Sequence, residues 1–431
     1  MSEPGLFDGV LAAGGVREAV SDTAWVQAML DFESALAAAL ADVGLVERAH
    51  AELIAKHCRA EFYDIAELST ASALTGNPAA PLVRALSDRV GDGHVHLGAT
   101  SQDVIDTAAM IITRNAVAVL LDDVRAAARI AATLAREHID TVQPGRTLLQ
   151  QAVPVSFGFT AACWLVGLLE AADRLEAVEP VLQFGGASGT LAALGDRGVE
   201  VMAALARRLG LAEPVLPWHT VRLRIAEPAS ALGALCGVLG TVARDITLLA
   251  QTEIGEVTEE GPPGSGSSST MPHKHNPVAA VATLGCAAQA PGLVATLLQA
   301  GVQEHQRAAG AWHSEWRPLR ELLRTSGSAA HWLRTSLERL RVHPERMRAN
   351  LAGDVFAERV TTELTPMVGR QRAHDAVTRC CASGGDLVEA LAADPVVGAH
   401  LNRERLTELS EIDHLGSAKH FVERALRRAG Q

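Results

Sequence analysis

A short segment rich in glycine, proline and hydroxyl residues, GPPGSGSSSTMPHKHNP at positions 261–277, carries the chemically most informative side chains. It interrupts two apolar stretches, so its composition predicts a mobile loop. Asn276 can cap a following helix, and Pro277 suits the first helical position, where a missing N–H costs nothing. A helix start favours an anion, and Lys274 adds positive charge. The segment predicts a loop that binds an anionic group, although a surface linker can have the same composition.

A second segment, HVHLGATSQDVIDT at 94–107, offers an imidazole beside the start of a helix. Gly98 breaks regular structure, and Thr100 with Asp103 has the spacing of a capping box. The segment can serve only to begin a helix, and a single histidine such as His96 is more often a packed core residue. No glycine or proline follows Gly98 until Pro144, which predicts one long helix over 104–140.

The elements that position these segments are predicted to be helices. Alanine and leucine carry the apolar content and aromatic residues make up 3 %, a composition that favours helices over strands. Further helices are predicted at 154–182, which is apolar nearly all round and expected to be buried, and at 226–260, 277–306, 315–340 and 354–383, with no strand run. We predict an all-α protein with an N-terminal helical domain (1–103), a central bundle of long helices (104–350) and a C-terminal helical domain (351–431).

Charge and composition exclude several classes of protein. The formal net charge is −12, from 38 basic and 50 acidic residues, which argues against a nucleic-acid partner. Neither a G-x-G-x-x-G nor a G-x-x-x-x-G-K-[ST] fingerprint occurs. The six cysteines lack the spacing of a zinc site, and we expect reduced thiols, no metal and no cofactor.

The chain is expected to be cytoplasmic. Residues 1–15 lack a basic region followed by an apolar stretch, so no signal peptide is predicted. No apolar run approaches the ~20 residues that span a bilayer, so no membrane partner is expected.

The loop at 261–277 is similar to the signature G-S-S-x-M-P-x-K-x-N-P of the fumarase/aspartase (lyase-1) superfamily. The matching positions are Ser268, Ser269, Met271, Pro272, Lys274, Asn276 and Pro277. So many fixed positions in one short window make chance a poor explanation. One position departs from the pattern: Ser267 stands where the family usually has glycine, and Gly266 lies one residue earlier.

The resemblance implies catalytic roles in this loop. The first serine of the pair is the family's general base, which takes the proton next to a carboxylate, and this role carries over to Ser268. A serine hydroxyl is a very weak acid, so its ionised form needs N–H donors in a closed loop without water. Lys274 and Asn276 are implied to hold the substrate carboxylate and a dianionic aci-carboxylate intermediate. Ser269 and Met271 are implied to bind the substrate beside them.

The segment at 94–107 resembles the H-x-G-x-T-S-x-D-V-x-D-T block of adenylosuccinate lyases and muconate cycloisomerases. His96 is thereby implied as a general acid or a substrate ligand. The residues implied to line the site after it are Thr100, Ser101 and Gln102.

The segment GRTLLQQ at 145–151 departs from the lyase pattern. Adenylosuccinate lyases have T-H-G-Q-H here, and their first histidine is catalytic, whereas this chain has Leu148. A leucine can neither donate nor accept a proton, and a bulky apolar residue resembles the carboxymuconate cycloisomerase branch of the family. The implied substrate-binding residues of the segment are Arg146, Thr147 and Gln150.

Three further stretches resemble that branch. They are FGGASGTLAALG at 184–195, QEHQR at 303–307 and GAWHSEW at 310–316. Arg307 is implied as a carboxylate clamp, because a planar bidentate donor suits a polyanion; a solvated helix charge is the alternative. The segment PWHTVRLR at 217–224 is similar to P-W-H-T-x-R-D-R, but Leu223 replaces the acid, so the salt bridge of that acid is expected to be absent.

The resemblance implies a cofactor-free intramolecular lyase that converts 3-carboxy-cis,cis-muconate to carboxymuconolactone, in the protocatechuate branch of the β-ketoadipate pathway. It implies a small di- or tricarboxylate substrate. It also implies a homotetramer in which each active site takes its His96, Thr147 and Ser268 segments from three different subunits. One alternative is a fumarate-releasing lyase like adenylosuccinate lyase, against which Leu148 argues. Another is an inactive homologue, against which the intact signature loop argues.

Overall fold

The computed structural model describes residues 5–91, 94–267, 270–271 and 273–430. Most of them are helical, which confirms the all-α class. The α-helices are α1 (Asp8–Leu11), α2 (Val16–Ala19), α3 (Asp22–Asp42), α4 (Arg48–His57), α5 (Ile65–Thr75), α6 (Ala79–Val90), α7 (Ser101–Glu137), α8 (Phe157–Glu176), α9 (Gly198–Leu209), α10 (Leu223–Leu249), α11 (Val278–Ala287), α12 (Ala290–Ala300), α13 (Ala311–Glu338), α14 (Pro344–Ala349), α15 (Ala357–Val368), α16 (Arg370–Ala382), α17 (Leu387–Ala393), α18 (Arg403–Leu409) and α19 (Ala418–Arg428). Two 3₁₀ helices span Ala60–Phe62 and Ala192–Arg197.

The longest helix, α7, has 37 residues. It runs from Ser101 to Glu137, rather than over the predicted 104–140. The Asp103 carboxylate accepts a hydrogen bond from the backbone N–H of Thr100 at 3.0 Å, which is one half of the predicted capping box. The cap therefore fixes where the helix begins.

Two short antiparallel sheets correct the expectation that the chain has no strands. The strand pairs are β1 (Val142–Thr147) with β2 (Gln150–Ser156), and β3 (Val257–Glu259) with β4 (Leu340–Val342). The first residues of the predicted 154–182 helix belong to strand β2, so α8 begins only at Phe157. The register of β1 shifts between Pro144 and Arg146, and a Cβ on Gly145 would lie 2.3 Å from the Val153 carbonyl oxygen. A bulged hairpin lacks regular alternation, which is why its pattern gave no strand signal.

Two predicted helices are broken in the structure. The stretch 277–306 divides into α11 and α12, with residues 288 and 289 between them. The stretch 354–383 divides into α15 and α16 at Gly369, whose φ is +83°. Glycine adopts this backbone conformation without the steric cost that other residues meet.

The chain divides into two compact units. The first comprises Met1–Ala126, Glu170–Ala243 and Ala279–Thr335, and the second comprises Ala127–Leu169, Arg244–Val278 and Ser336–Gln431. Both units are assembled from segments that are distant in sequence. The division into three domains at 103 and 350 stays a prediction.

Small residues let the helices of the first unit approach closely. A Cβ on Gly233 of α10 would lie 2.9 Å from Val294 of α12. The Cys236 sulfur of α10 lies 3.2 Å from the Ser326 hydroxyl of α13, and both residues are buried. Close packing of this kind fixes the helices that carry the polar side chains described below.

The second unit has an apolar core around its C-terminal helices. The core residues are Phe356, Val360, Leu364, Ala373, Ala376, Val377, Cys380, Leu387, Leu391, Val397, Leu401, Leu406 and Leu409. They come from α15, α16, α17 and α18 and the turns between them. This core is separate from the segments in which the candidate site residues lie.

Among the described residues, three helical stretches are long and apolar enough to cross a membrane, judged by length and composition alone. They are Ser101–Glu137, Leu223–Leu249 and Val278–Ala300. They correct the expectation that no segment approaches this length, because the few charges that interrupt them leave their mean hydropathy high. The most apolar part of the first is 72 % buried, whereas those of the second and third are 44 % and 39 % buried. The last two therefore leave much apolar surface uncovered in the single chain.

Candidate active site

His96 lies between α6 and α7 and is held by a buried acid. Its Nδ1 lies 2.7 Å from Oε1 of Glu33, in the middle of α3. The Glu33 side chain is 1 % exposed and that of His96 is 20 % exposed. His96 has a φ of +63°, a left-handed conformation that costs a residue with a side chain about 1–2 kcal/mol. The imidazole is thus fixed through one nitrogen, and Nε2 is left for another partner.

The charges around His96 favour its protonated form. Burial lowers the pKa of His96, but the negative charges of Glu33 and Asp103 and the hydrogen bond to Glu33 together raise the pKa above its ordinary value. A raised pKa increases the fraction of imidazolium, which can give up a proton, so the geometry supports the predicted role of His96 as a general acid. That role itself stays a prediction.

Asp103 connects three segments of the first unit. Its carboxylate accepts hydrogen bonds from the backbone N–H groups of Thr100, Gly185 and Gly186 at 2.8–3.0 Å, and it lies 2.8 Å from Nε2 of His219. Complete burial raises the pKa of Asp103, while the hydrogen bond to His219 opposes that change. The carboxylate fixes the start of α7 and therefore the backbone on which Thr100 and Ser101 lie.

A second buried cluster surrounds Arg222. Its guanidinium donates to Asp106 at 2.7 and 2.9 Å and to Glu315 at 2.9 and 2.5 Å. The predicted ligand Gln102, which is buried, donates to Asp106 at 3.1 Å and to the carbonyl of His219 at 2.8 Å. The Gln102 amide therefore already donates two hydrogen bonds within the chain. Its contact with substrate stays a prediction.

The acid missing at Leu223 leaves no charge unpaired at Arg222. Leu223 begins α10 and its side chain points to solvent, 62 % exposed. Arg222 instead finds its carboxylate partners on α7 and α13. The buried pairs of Arg222 therefore do not depend on an acid at position 223.

Arg307 meets the start of α7. It lies in the segment between α12 and α13 and donates a hydrogen bond to the Thr100 hydroxyl. Both side chains are half-buried, and Ser101 follows as the first residue of the helix. The first unit therefore brings His96, Thr100, Ser101 and Arg307 to one helix N-terminus, where the helix dipole adds to the charge of Arg307 in favour of an anion.

The hairpin of β1 and β2 presents the second group of predicted residues. Thr147 pairs with Gln150, and Leu148 and Leu149 form the two-residue turn. These leucines have φ values of +51° and +64° and are 97 % and 72 % exposed. Two-residue turns with positive φ at both positions normally carry Asn-Gly, so two leucines are costly here. Thr147 and Gln150 are also exposed, and their contact with substrate stays a prediction.

The base of this hairpin is anchored inside the second unit. Arg146 donates to the buried Glu256 at 2.5 and 3.0 Å, and Asn350 donates to the same carboxylate at 2.8 Å. The Gln151 side chain donates to the Asn350 carbonyl at 2.6 Å. The predicted ligand Arg146 is therefore already neutralised by a carboxylate of its own chain, and its contact with substrate stays a prediction.

The signature loop is closed at its base within the second unit. Ser267 bridges to His275, and both the backbone N–H and the side-chain amide of Asn276 donate to the Gly266 carbonyl at 2.9 and 3.0 Å. Gly266 has a φ of +72°, so the glycine conformation occurs one residue before Ser267. The departure from the signature therefore leaves the loop closure intact.

The loop's predicted ligands are only partly described. Ser268 and Ser269 lie outside the described residues. Lys274 is exposed, and Met271 is 41 % exposed. The backbone N–H of Lys274 donates to the Met271 carbonyl at 3.0 Å. The roles of these residues stay predictions.

Metal binding has no support among the residues that the structure describes. Within them, no group of three or more His, Cys, Asp or Glu side chains is arranged to hold an ion. The absence of a metal and of a cofactor stays a prediction.

Comparison with known proteins identifies the family. A family model described as lyase matches residues 12–292, and one described as adenylosuccinate lyase C-terminus matches 353–425. A 3-carboxy-cis,cis-muconate cycloisomerase from Pseudomonas aeruginosa is 45 % identical over 98 % of this chain and 95 % of its own length. A nitrosuccinate lyase from Streptomyces davaonensis is 40 % identical over 98 % and 94 %. The crystal structure of a 3-carboxy-cis,cis-muconate lactonizing enzyme from Pseudomonas putida matches with a TM-score of 0.91 at 43 % identity, covering 99 % of both chains.

The chain belongs to this lyase family, the fumarase/aspartase superfamily, and is an enzyme of that kind. The similarity covers both units, since the matched structure extends over nearly the whole chain. The resemblance inferred from the signature loop is thereby confirmed.

Proposed function

We propose that this enzyme is a cycloisomerase that adds a carboxylate oxygen of 3-carboxy-cis,cis-muconate across a C=C bond to give carboxymuconolactone. The observation that carries the proposal is an identity of 43–45 %, over 93–98 % of the chain, to three proteins of that name. The reaction belongs to the catabolism of aromatic compounds, in the protocatechuate branch of the β-ketoadipate pathway.

The chemistry explains why a leucine can stand at the hairpin tip. The attacking oxygen is already ionised in the substrate, so no base has to activate it. As the C–O bond forms, the electron pair of the alkene moves onto the neighbouring carboxylate and gives an aci-carboxylate, which then takes a proton at carbon. The site needs anion binding and one proton donor, and Leu148 removes only the histidine that the lyases of the family use.

The substrate's three carboxylates require cationic partners. Arg307 at the start of α7 supplies one, and Lys274 of the signature loop supplies another. The remaining residues proposed to bind substrate are Thr100, Ser101, Gln102, Arg146, Thr147, Gln150, Ser269, Met271 and Asn276. The proton donor is His96 or Ser268.

Proton counting tests the reaction directly. The substrate carries three carboxylates and the lactone two, so each turnover takes up one proton from solution. Purified enzyme is given 3-carboxymuconate in weak buffer, the loss of the conjugated diene is followed by absorbance, and proton uptake is followed with an indicator dye. We expect a ratio of one. An enzyme that leaves 3-carboxymuconate unchanged would refute the proposal.

A second candidate is a lyase that eliminates a group from a substituted succinate. The identity of 40 % to a protein named nitrosuccinate lyase favours it as the alternative. Nitrosuccinate and adenylosuccinate are therefore offered to the same preparation, and release of fumarate is followed by absorbance. Fumarate release without turnover of 3-carboxymuconate would replace the first proposal by the second.

A homotetramer in which neighbouring subunits complete each site is proposed as the active form. The supporting observation is the uncovered apolar surface of α11 and α12, where Val281 is 53 % and Leu298 is 49 % exposed. Burying such surface is worth roughly 25 cal/mol per Å². Light scattering of the purified protein, and of a Val281→Glu variant, tests this: we expect a tetramer and a smaller, less active species. A fully active monomer would contradict it.

The proposed location is the cytoplasm. All six cysteines lie among the described residues and are unpaired, as is usual in a reducing compartment. Fractionation of the producing cells tests this, and recovery of the enzyme from the membrane or the secreted fraction would overturn it.

A further inference from the structure

An irregular segment, residues 301–310, joins α12 to α13 and carries Arg307. Its backbone is left-handed at His305, where φ is +52°. Residues with a side chain rarely adopt this conformation, and it persists where surrounding contacts hold it. Arg307 follows two residues later, half-buried, and donates a hydrogen bond to the Thr100 hydroxyl. The contacts that hold the backbone at His305 therefore help to set where Arg307 lies.

The hydroxyl of Thr220 makes the contact at this position. It donates a hydrogen bond to the His305 carbonyl at 3.0 Å, across 85 residues of sequence. Among the described residues, this is the one hydrogen bond made by the His305 backbone. The left-handed conformation of His305 directs its carbonyl to Thr220, so loss of this hydroxyl removes the partner that accounts for the conformation.

Thr220 is itself tied to the start of α7. The residue before it, His219, is buried, and its Nε2 lies 2.8 Å from the Asp103 carboxylate. Asp103 in turn accepts a hydrogen bond from the backbone N–H of Thr100 at 3.0 Å. The group that anchors the segment is therefore held by the same helix start against which Arg307 lies.

These contacts close into a ring within the first unit. The ring runs from Thr100 through Asp103 and His219 to Thr220, and returns through His305 and Arg307 to Thr100. The link between Asp103 and His219 is buried, whereas that between Thr220 and His305 lies near the surface. Opening the ring at Thr220 therefore removes one hydrogen bond and leaves the buried link intact.

Other contacts fix the two ends of the segment. The Gln303 side chain donates to the buried Glu315 at 3.0 Å, and the Glu304 carboxylate accepts from the backbone N–H of Ala309 at 2.6 Å. Neither contact involves residues 305–307. The middle of the segment therefore depends on its hydrogen bond to Thr220.

We propose that Thr220 is a positioning residue, which holds the segment so that Arg307 is already in place at the start of α7 when a substrate carboxylate arrives. The inference rests on the proposed function, because it takes Arg307 as a carboxylate ligand. Thr220 acts through the backbone of His305. A long side chain on a loose segment loses conformational freedom when it binds, which weakens affinity, and a segment fixed in advance avoids that loss.

The variant Thr220→Val tests this role, because valine has a similar shape and lacks the hydroxyl donor. Loss of one hydrogen bond should raise KM for 3-carboxymuconate about 3–10-fold. The turnover number kcat should change less than about twofold, because the contact acts on binding and not on the reacting atoms. Thr220→Ser keeps a hydroxyl and should bring KM back close to the wild-type value. A wild-type KM in Thr220→Val would overturn the proposal.

Two controls separate positioning from general damage. Thr407→Val on α18 removes another exposed hydroxyl that donates to a backbone carbonyl, at 2.9 Å, and its KM should match wild type. The two valine variants should have similar thermal midpoints. In an Arg307→Ala background, Thr220→Val should cause no further loss of kcat/KM, because the group through which it acts is gone. A further loss in that background would show that Thr220 acts by another route, and would overturn the proposal.

Hydrogen exchange keeps this inference separate from the proposed function, because it needs no substrate. The backbone amides of residues 303–309 should exchange about 3–10-fold faster in Thr220→Val than in wild type, and at the wild-type rate in Thr407→Val. A wild type that turns over 3-carboxymuconate, with unchanged exchange in Thr220→Val, would refute the positioning role alone. Faster exchange in Thr220→Val, with a wild type that leaves 3-carboxymuconate unchanged, would refute the proposed function alone.

Discussion

Arg146 binds Glu256 through two parallel hydrogen bonds: Nη2 lies 2.5 Å from Oε1, and Nη1 lies 3.0 Å from Oε2. The Glu256 side chain is completely buried, so this pair replaces the water that the carboxylate loses. It joins the base of the hairpin to the segment after α10. The arginine that sequence comparison suggests as a substrate ligand thus has a structural contact in the single chain.

Removal of Arg146 should destabilise the protein. Arg146→Met leaves Glu256 buried without a cation, which costs about 3–5 kcal/mol, and the thermal midpoint should fall clearly. The matched control is Arg125→Met, whose partner Glu176 is solvent-exposed; such surface pairs contribute about 0–1 kcal/mol. Equal effects of the two changes in thermal unfolding would contradict the anchoring role of Arg146.

Replacing Leu148-Leu149 by Asn-Gly should separate stability from activity. Asn-Gly adopts the positive φ values of this turn easily, so the change should relieve about 1–2 kcal/mol at each position and raise the thermal midpoint. Turnover should fall, because the apolar tip is lost. Leu74→Asn, at a leucine that is 91 % exposed on α5, is the control and should leave turnover unchanged. Full activity of the Asn-Gly variant would show that the leucines have no part in the reaction.

Arg307→Lys should weaken substrate binding but have little effect on the stability of the fold. A lysine keeps the charge but loses the planar pair of donors that suits a carboxylate, a difference of roughly 1.5–3 kcal/mol for charged hydrogen bonds. KM should rise about tenfold or more, with little change in the thermal midpoint. Arg317→Lys, at an exposed position of α13, serves as control. A KM equal to that of wild type would show that Arg307 does not bind the substrate.

Asp103→Asn should disturb the start of α7. An asparagine has one side-chain oxygen for the four donors that now surround the carboxylate. Leaving buried donors unpaired costs about 1–3 kcal/mol each, so urea should unfold the variant at a clearly lower concentration. Asp122→Asn changes an exposed acid of the same helix and should have almost no effect. A stable Asp103→Asn variant would mean that these donors find other partners.

The pair of Glu33 and His96 should stabilise the fold mainly in acid and neutral solution. The pKa of His96 is raised on folding, so its contribution is complete below the ordinary value of about 6.5 and is lost as pH rises through the folded pKa. The thermal midpoint of wild type should therefore exceed that of Glu33→Gln by more at pH 6 than at pH 9. A pH-independent difference would show that the ion pair adds nothing.

Local rules predicted the elements whose partners are close in sequence. The capping pattern of Thr100 and Asp103 places the start of α7, and α11 begins at Val278, one residue after the position predicted from Pro277. Both depend on contacts within a few residues, which sequence spacing records directly. The sequence did not predict the β1–β2 hairpin, because its turn carries Leu148 and Leu149 instead of the usual Asn-Gly. Its register also depends on a bulge at Gly145.

The contacts that shape the candidate site span long distances in the sequence. Glu33 meets His96 63 residues away, and Arg146 meets Glu256 110 residues away. Neither pairing leaves a mark in local spacing. One signal was available for Glu33: it lies at helical spacing from Met29, Leu30 and Leu36, and an acid within such an apolar stripe marks a buried partner.

The base of the β1–β2 hairpin, which anchors it, and the exposed tip of the hairpin are formed by different residues. Arg146 and Gln151 anchor its base through Glu256 and Asn350, and none of these contacts involves Leu148 or Leu149. The two tip positions can therefore be exchanged while the frame that sets their reach stays the same. Libraries that vary only these two positions should therefore leave the anchoring contacts of the hairpin base unchanged.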